Sequence, residues 1–319
     1  MAEKFLRVDD LMADLDRLLT WAKSLKEDPE AGDFLPLVDM TVASIYEKPS
    51  TRTRISFEVG VRQLGGHPMA LGATEMQLGH KESIGDTANV LSRYVQGITH
   101  RGFCHGDVTE LSEASSVPVI NALSDEHHPC QAIADMMTIK EFAPEVERQK
   151  IAWVGDGNNV LHDLMLASAI LGDDLVYATP EGHEPMPSIR ADAEALATQS
   201  GGSIREAHTP EDAVEDATVI YTDVFLSMGQ EDDSKKLQDF EGYSVTEELC
   251  SRADDDHIFL HCLPANRGIE VSDEVMDGPH SRVWDQAENR LHAQKSLLTR
   301  LLNDAAWDTY GEVMGVEGW

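Results

Sequence analysis

The chain has 319 residues, enough for two domains with large cores, and 58 acidic against 25 basic residues give it a formal charge of −33 at pH 7. A field of that sign repels phosphate, so the composition argues against nucleic acids and anionic membrane surfaces as partners. No apolar run approaches the roughly 18 residues that cross a bilayer, and the start MAEKFLRVDD lacks the basic and apolar regions of a secretory signal, so we expect a cytoplasmic protein.

The cysteines and the acidic surface indicate the solvent in which the protein works. The 4 cysteines are widely spaced and form no C-x-x-C pair, so we expect reduced thiols rather than a disulfide framework. Acidic runs at 231–233 and 254–256 are typical of solvated faces. At molar salt the Debye length falls to about 3 Å and such carboxylates hardly repel one another. The charge therefore predicts a halophilic protein.

The first half of the chain alternates short strands with helices. An amphipathic helix is predicted through VDDLMADLDRLLTWAKSLKE, followed by a strand over 38–47. The segment STRTRISFEVGVRQLGG predicts a loop entering a helix that ends at the paired glycines. The strands HPMAL, GITHR and PVINAL then alternate with the helices SIGDTANVLSRYV, VTELSEASS and QAIADMMTIKEF. This alternation predicts a parallel sheet covered by helices.

A second set of the same kind follows the polar segment APEVERQK. Its predicted strands are IAWVG, DLVYATPEG, ATVIYTDV, HIFLHCLPA and RVWDQ, and its helices are NVLHDLMLASAILG and one around 191–199. The last helix, AENRLHAQKSLLTRLLND, is expected to return to the first half. We therefore predict two α/β domains, residues 1–144 and 145–287, with 288–319 packing on the first. In open parallel sheets ligands bind beyond the carboxyl ends of the strands, so motifs there indicate function.

Hydroxyl and guanidinium groups are concentrated in STRTR, at 50–54. The segment follows a predicted strand and begins a helix, where free backbone N–H groups and the helix dipole favour an anion. The alternative is an ordinary N-cap at Ser50 with solvated arginines.

Two further segments of the first half offer hydrogen-bond donors after a strand. Arg101 ends GITHR, and in HHPCQ His128 precedes a proline while Gln131 enters the next helix. Donors at a helix start can polarise a carbonyl group. A surface arginine and a structural histidine are the alternatives.

The segment GDGNNV, at 155–160, could be mistaken for a dinucleotide-binding loop. Val160 stands where the third glycine belongs, and the next strand ends in Thr179 and Pro180 rather than in a ribose-binding acid. An NAD site is therefore not expected.

Asp223 and Cys262 each follow an apolar strand, in DVFLSMGQE and HCLPA. A cysteine there is either a reactive group or a small buried thiol. The histidines show no zinc-ligand spacing, and there is no G-x-S-x-G and no P-loop, so we expect no metal site and neither of the commonest hydrolase or kinase chemistries.

Six motifs lie in register over almost the whole chain: STRTR at 50–54, HPCQ at 128–131, GDGNN at 155–159, SMG at 227–229, HCLP at 261–264 and ENRLH at 288–292. Together they resemble the transcarbamylase family, and its ornithine-specific branch in particular. The resemblance implies two doubly wound parallel-sheet domains, one for carbamoyl phosphate and one for ornithine. It implies the reaction of carbamoyl phosphate with L-ornithine to give citrulline and phosphate, in arginine metabolism and without a cofactor. It also implies a homotrimer, or a multiple of trimers, with active sites between subunits.

The resemblance also assigns roles to individual residues. The carbamoyl phosphate site is expected to contain Ser50, Thr51, Arg52, Thr53, Gln77, Arg101, His128, Gln131, Cys262, Leu263 and Arg290. The ornithine site is expected to contain Asn159, Asp223, Ser227 and Met228. Catalysis is expected to involve Arg101, His128, Asp223 and Cys262. Gln77 is expected to reach the site of a neighbouring subunit.

Two other enzymes remain as alternatives. One is a transcarbamylase for another amine, such as putrescine or an acylated ornithine, which the SMG segment and Cys262 disfavour. The other is an NAD-binding dehydrogenase, for which GDGNNV is the sole feature. A non-catalytic anion-binding protein would show no turnover.

Overall fold

The computed structural model describes residues 3–28, 33–72, 76, 82–226 and 234–314. The chain divides into two compact units, one formed by Met1–Ala134 with Glu288–Trp319 and the other by Asp135–Ala287. Each unit contains a five-stranded sheet with flanking helices, and all the strand pairs are parallel. The predicted α/β class with two parallel sheets is confirmed.

The first unit is built around strands in the order β1-β5-β4-β2-β3. In chain order its elements are β1 (Lys4–Phe5), a 3-10 helix (Val8–Asp14), α1 (Leu15–Glu27), β2 (Thr41–Tyr46), α2 (Arg52–Gln63), β3 (His67–Gly72), α3 (Ile84–Leu91), β4 (Gly97–Arg101), α4 (His105–Ala114), β5 (Val119–Leu123) and α5 (Pro129–Phe142). The division between the units falls inside α5.

The register of the central strands places the site-bearing segments side by side. β2 pairs with β4, with Tyr46 opposite Arg101. Because parallel strands end at the same edge of a sheet, the loop after β2, which contains STRTR, begins beside the end of β4. The buried apolar residues of β2 and β4, among them Ile45 and Ile98, anchor both strands in one hydrophobic core.

The second unit repeats the architecture with strands in the order β10-β9-β6-β7-β8. The elements that follow α5 are β6 (Lys150–Val154), α6 (Asn159–Leu171), β7 (Asp174–Ala178), α7 (Pro187–Ser200), β8 (Ser203–Glu206), α8 (Pro210–Val214), β9 (Val219–Thr222), α9 (Ser234–Asp239), α10 (Glu247–Cys250), β10 (Ile258–His261), α11 (Asp273–Met276), α12 (Val283–Leu302) and α13 (Asp304–Met314). α12 starts in this unit, and its residues from Glu288 onward belong to the first.

The prediction of a strand at RVWDQ is wrong, because these residues lead into α12. Val283 and Gln286 are buried whereas Trp284 is 62% exposed, and burial continues at Asn289, Arg290 and further along the helix at intervals of three or four residues. That spacing is helical, and five residues were too few to reveal it. The strands β1 and β8 were not predicted: β1 has two residues, and β8 is a mostly polar edge strand in which only Ile204 is buried.

Among the helices in the described part of the chain, none is sufficiently long and apolar to span a membrane.

Candidate functional site

The STRTR segment lies between the end of β2 and the first turn of α2, as predicted from the sequence. α2 begins at Arg52, and its N-cap is Thr51 rather than Ser50. In the described structure the Thr51 hydroxyl makes no capping hydrogen bond, so it is not committed to the helix backbone. Arg54 lies on the exposed face, where its Nε donates to Glu58 at 2.8 Å. The two arginines of the motif therefore differ, because the ion pair on the helix surface occupies Arg54.

Two buried guanidinium groups converge on the hydroxyl of Thr53. Arg290, on α12, donates from Nη2 to Thr53 Oγ1 at 2.8 Å and from Nη1 to Gln131 Oε1 at 2.9 Å. Arg101, at the end of β4, places Nη1 3.4 Å from the same Thr53 oxygen. The four residues are buried and belong to the first unit. The arrangement makes a locally positive site at the carboxyl edge of the first sheet.

His128 is buried directly before Pro129, the first residue of α5. Burial holds the pKa of its imidazole well below the ordinary value, and the positive charges of Arg290, Arg101 and Arg52 lower the pKa further. The imidazole is therefore neutral at neutral pH, with one nitrogen that can donate a hydrogen bond. Because all three charges act on His128, Arg52, Arg101 and Arg290 lie near its imidazole.

Half-buried Glu47 and buried His100 form a pair beside Arg101 that the sequence did not reveal. Glu47 Oε1 lies 2.7 Å from His100 Nε2, and the Glu47 N–H donates to the Arg101 carbonyl at 2.9 Å. The hydrogen bond from His100 is the largest cause of a lowered Glu47 pKa, to which the backbone N–H of Phe103 also contributes. Residue 102 must be glycine here, because a Cβ would lie 2.3 Å from the His100 ring. Glu47 thus fixes the end of β4, which carries Arg101.

In the second unit, Asp223 and Cys262 meet at neighbouring strand ends. β9 ends at Thr222 and β10 at His261, and the two strands are paired. The Cys262 Sγ donates to Asp223 Oδ1 at 2.9 Å, and the Nδ2 of Asn158 donates to Asp223 Oδ2 at 2.9 Å. The buried carboxylate is thereby aimed at the space beyond the second sheet's carboxyl edge.

The loop GDGNN delivers Asn159 as the first residue of α6. Its neighbour Asn158, which sequence reasoning missed, is the N-cap, and its Oδ1 accepts from Val160 N–H at 3.0 Å and Leu161 N–H at 3.3 Å. The cap uses two of the amides that a dinucleotide pyrophosphate would need. The loop geometry therefore gives no support to the NAD alternative.

The turn that carries Cys262 and Leu263 is held by His261. The Leu263 N–H donates to His261 Nδ1 at 2.9 Å, while His261 Nε2 lies 3.4 Å from Glu270 Oε1. Leu263 has a φ of 61°, in the left-handed region that a branched side chain rarely adopts, so the turn depends on such contacts. His261 in turn receives support from Gln286, whose Oε1 accepts from the His261 N–H at 3.0 Å.

Gln286 belongs to a buried polar network in the second unit. Its Nε2 donates to Asp135 Oδ1 at 2.7 Å, and the Tyr221 hydroxyl donates to Asp135 Oδ2 at 3.1 Å. Burial and the Asp135 charge raise the pKa of Tyr221 well above its usual value, so the phenol stays a donor. The network gives the end of β10 a rigid support.

Asp223, His261 and Cys262 each place one possible ligand atom within 4.8 Å of the others, and among the described residues they form the one such group of three. His261 Nδ1 already accepts the Leu263 N–H, so its remaining proton lies on Nε2, towards Glu270. A metal ion at Nδ1 would have to displace the Leu263 N–H, and Asp223 and Cys262 already share a hydrogen bond.

Three of the expected site residues, Gln77, Ser227 and Met228, lie outside the described residues. The structure brings together Thr53, Arg101, His128, Gln131 and Arg290 with Arg52 in the first unit, and Asp223 with Cys262 in the second. Ser50 and Thr51 precede α2. Asn159 is the first residue of α6, and Leu263 follows the last residue of β10 by two positions.

The chain is similar along nearly its whole length to known carbamoyltransferases. Residues 3–141 match the carbamoyl-P binding domain of aspartate/ornithine carbamoyltransferase, and residues 147–301 match its Asp/Orn binding domain. The ornithine carbamoyltransferase of Thermococcus kodakarensis is 55% identical over 263 residues, 82% of this chain and 84% of the relative. That of Methanocorpusculum labreanum is 48% identical over 305 residues, 95% and 99% of the two chains. The structure of the ornithine carbamoyltransferase from Pyrococcus furiosus superposes with a TM-score of 0.90 at 48% identity, covering 94% of this chain and 97% of the other.

Proposed function

The chain belongs to the aspartate/ornithine carbamoyltransferase family, and from this premise we propose that it transfers the carbamoyl group of carbamoyl phosphate to the side-chain amine of L-ornithine. The products are L-citrulline and phosphate, in arginine metabolism. The observation that carries the proposal is the buried cluster in which Arg101 and Arg290 converge on Thr53 beside a neutral His128. In a chain of net charge −33, such a concentration of positive charge indicates a specific anion.

The donor phosphate is assigned to the start of α2. The first N–H groups of a helix and its dipole favour an anion, and Ser50, Thr51 and Arg52 are the side chains at this position. Arg101 and His128 donate to the carbamoyl oxygen, and Gln131 accepts from the carbamoyl amide. Arg290, which already orients Thr53 and Gln131, completes the set. Gln77 is assigned to the phosphate of a neighbouring subunit's site.

The acceptor amine is assigned to Asp223 and Cys262. An alkylamine resembles lysine, with a pKa near 10.4, so removing its proton at pH 7 costs about 4 to 5 kcal/mol. Cys262, whose thiol is hydrogen-bonded to Asp223, orients the amine and helps it to lose its proton, and Asn158 holds the Asp223 carboxylate in place. Asn159 and the backbone of Met228 bind the α-carboxylate, and Asp223 with Ser227 binds the α-ammonium group. Leu263 lines the carbamoyl end.

In the reaction the neutral amine nitrogen attacks the carbamoyl carbon, and the bond from that carbon to the phosphate oxygen breaks. Negative charge grows on the carbamoyl oxygen, where Thr53, Arg101 and His128 supply donors, each contributing on the order of a few kcal/mol. Arg52 stabilises the departing phosphate, one oxygen of which accepts the amine proton. Catalysis comes from positioning and electrostatic stabilisation.

We assign donor binding to residues 1–144 with 288–319, and ornithine binding to 145–287. The assembly we propose is a homotrimer or a multiple of trimers, because Gln77 is assigned to a neighbour's site. The proposed location is the cytoplasm. The net charge of −33 supports a halophilic protein, since salt screens the mutual repulsion of surface carboxylates.

The substrate assignment is tested with a colorimetric assay for the ureido product in multimolar KCl. Carbamoyl phosphate is supplied with ornithine, putrescine, N-acetylornithine, aspartate or lysine in parallel. Ornithine is expected to give the highest kcat/KM. Faster product formation with another amine, or no product with any of them, would contradict the assignment.

The matched pair Arg52→Gly and Arg54→Gly tests the phosphate site within one motif. Arg52→Gly is expected to abolish measurable use of carbamoyl phosphate. Arg54→Gly removes an exposed side chain paired with Glu58, an interaction that contributes about 0.3 to 0.5 kcal/mol, so its kinetics should stay close to wild type. Near-normal donor affinity in the Arg52 variant would overturn the role of Arg52.

The salt requirement is tested by dialysis from multimolar KCl into dilute buffer. Activity and helical circular dichroism are expected to fall together and to recover when salt is restored. Full stability in dilute buffer would contradict the halophilic assignment while leaving the reaction untouched.

A further inference from the structure

The second unit contains a cavity of about 240 Å³ that the carbamoyl transfer does not use. α10, the loop after it, the start of β10, and the segment from α11 to His280 enclose it. Its floor is apolar and includes Phe259 and Val275, both buried. Its polar lining consists of Glu247, Asp254, Asp255, Glu274, His257 and His280. None of these residues is among those assigned to either substrate.

The two histidines are stacked and share one tautomer. Their ring centroids are 4.3 Å apart and the planes differ by 10°. His257 Nδ1 lies 2.7 Å from the Asp254 carbonyl oxygen, and His280 Nδ1 lies 2.8 Å from the His257 carbonyl oxygen. A carbonyl oxygen only accepts, so each Nδ1 carries a proton and each neutral ring has its lone pair on Nε2.

His257 directs an unused acceptor at this cavity. The residue is 7% exposed and lines the cavity, and its Nε2 makes no hydrogen bond within the described residues. Burial lowers the pKa of His257, and the neighbouring His280 lowers it further, so the ring remains neutral at neutral pH. Solvent in the cavity reaches this nitrogen, and a ligand with N–H groups would take the place of that solvent.

The charges around the cavity determine the kind of ligand. Glu247, Asp254, Asp255 and Glu274 form no ion pair within the described part of the chain. Four carboxylates disfavour an anion. A metal ion held by three protein ligands is not supported either, since among the described residues the one group of three close ligand atoms lies elsewhere, at Asp223.

We propose that this cavity binds a small organic cation, an ammonium or guanidinium group on a short aliphatic chain. Its N–H groups donate to the Nε2 atoms of His257 and His280, the carboxylates balance its charge, and the aliphatic chain lies on Phe259 and Val275. The site is separate from the proposed reaction and does not depend on it.

The test uses the full chain, labelled with 15N-histidine, in KCl held at one concentration. Propylammonium and propylguanidinium are titrated separately, with isobutanol as the neutral control. Saturable binding is expected for at least one cation, with selective movement of the Nε2 resonances of His257 and His280.

His280→Phe retains a stacking ring but removes the acceptor, so at least a tenfold loss of affinity is expected. His208→Phe, at an exposed position, is the matched control and should bind as wild type. Should His280→Phe fail to fold, Glu274→Gln changes an exposed carboxylate of the rim and should weaken binding threefold or more. Absence of saturation for both cations, equal binding of isobutanol, or unchanged affinity in the folded His280→Phe or Glu274→Gln variant would overturn the proposal.

Discussion

Replacing Arg290 by glutamine removes the guanidinium group that links Thr53 and Gln131, two residues assigned to carbamoyl phosphate. Arg290 donates to Thr53 Oγ1 at 2.8 Å and to Gln131 Oε1 at 2.9 Å, and it is buried. Glutamine is shorter, neutral, and has one donor nitrogen instead of the guanidinium fork. The substitution therefore removes the positive charge and the two hydrogen bonds that orient Thr53 and Gln131, while leaving a polar side chain at position 290.

The size of the effect follows from the lost charge and hydrogen bonds. A guanidinium and a phosphate about 4 Å apart interact by about 4 kcal/mol at the effective dielectric constant of about 20 that describes protein sites. Loss of hydrogen bonds to a charged group costs about 1.5 to 3 kcal/mol each, but part of this is recovered because a buried cation no longer needs desolvation. We expect kcat/KM for carbamoyl phosphate to fall about 1000-fold, which corresponds to about 4 kcal/mol.

The same substitution should raise the pKa of His128. Arg290 is the largest of the positive charges that lower this pKa, so its removal makes the protonated imidazole less unfavourable. The His128 Cε1–H resonance, followed by NMR against pH, should titrate at higher pH than in wild type. The acid limb of the kcat/KM profile should move in the same direction.

Arg300→Gln provides the control on the same helix. Arg300 donates to Asp14 at 2.7 Å and to Glu3 at 2.9 Å, so its loss should lower the midpoint of unfolding and leave donor kinetics within about threefold of wild type. If Arg290→Gln kept kcat/KM within threefold, or left the His128 titration unchanged, the electrostatic interpretation of this cluster would be wrong.

Three further changes test other parts of the structure. Glu47→Gln keeps the shape of the side chain beside His100 but removes the negative charge that fixes the end of β4. The KM for carbamoyl phosphate should rise about tenfold, whereas the KM for ornithine should stay within twofold. Equal changes in both KM values would refute the positioning role of Glu47. Cys262→Ala should raise KM for ornithine far more than that for carbamoyl phosphate, and equal losses would refute the assignment to the amine. Burial and the charges of Lys295 and Lys26 lower the pKa of His292 to about 4, so the unfolded chain binds the proton first and stability falls as pH drops from about 6.5 towards 4. In urea unfolding, the loss of stability between pH 7.5 and pH 4.5 should be about 2.5 kcal/mol larger in wild type than in His292→Gln.

The sequence predicted most of the local elements and the side chains at strand ends, because these depend on residue spacing. It did not reveal Glu47 and His100 as a pair. They are separated by 53 residues and meet only because Tyr46 lies opposite Arg101 in the β2–β4 register. A glutamate before a loop and a histidine inside a strand each have ordinary explanations when taken alone. Long-range strand register is the missing information.

Asn158 illustrates a different limit. The sequence identified the loop GDGNN, and the resemblance directed attention to Asn159, the second of two adjacent asparagines. Which of the two caps α6 depends on backbone angles: Asn158 is extended, with φ −91° and ψ −175°, and therefore precedes the helix. Its side chain then serves both the helix start, through Oδ1, and the Asp223 carboxylate, through Nδ2. The side-chain N–H group of Asn158 thus fixes the orientation of the Asp223 carboxylate.

A chain of net charge −33 can still bind a dianion, because the two electrostatic effects act over different distances. Surface carboxylates act through solvent, and at 0.15 M salt their field decays over about 8 Å, falling to about 3 Å at 1 M. Arg101 and Arg290 are buried, so salt screens them much less at contact distance. Rising salt therefore removes the repulsion before it weakens the site. An acidic surface and a phosphate site are compatible when the cations of the site are buried, as Arg101, Arg290 and their shared hydroxyl are here.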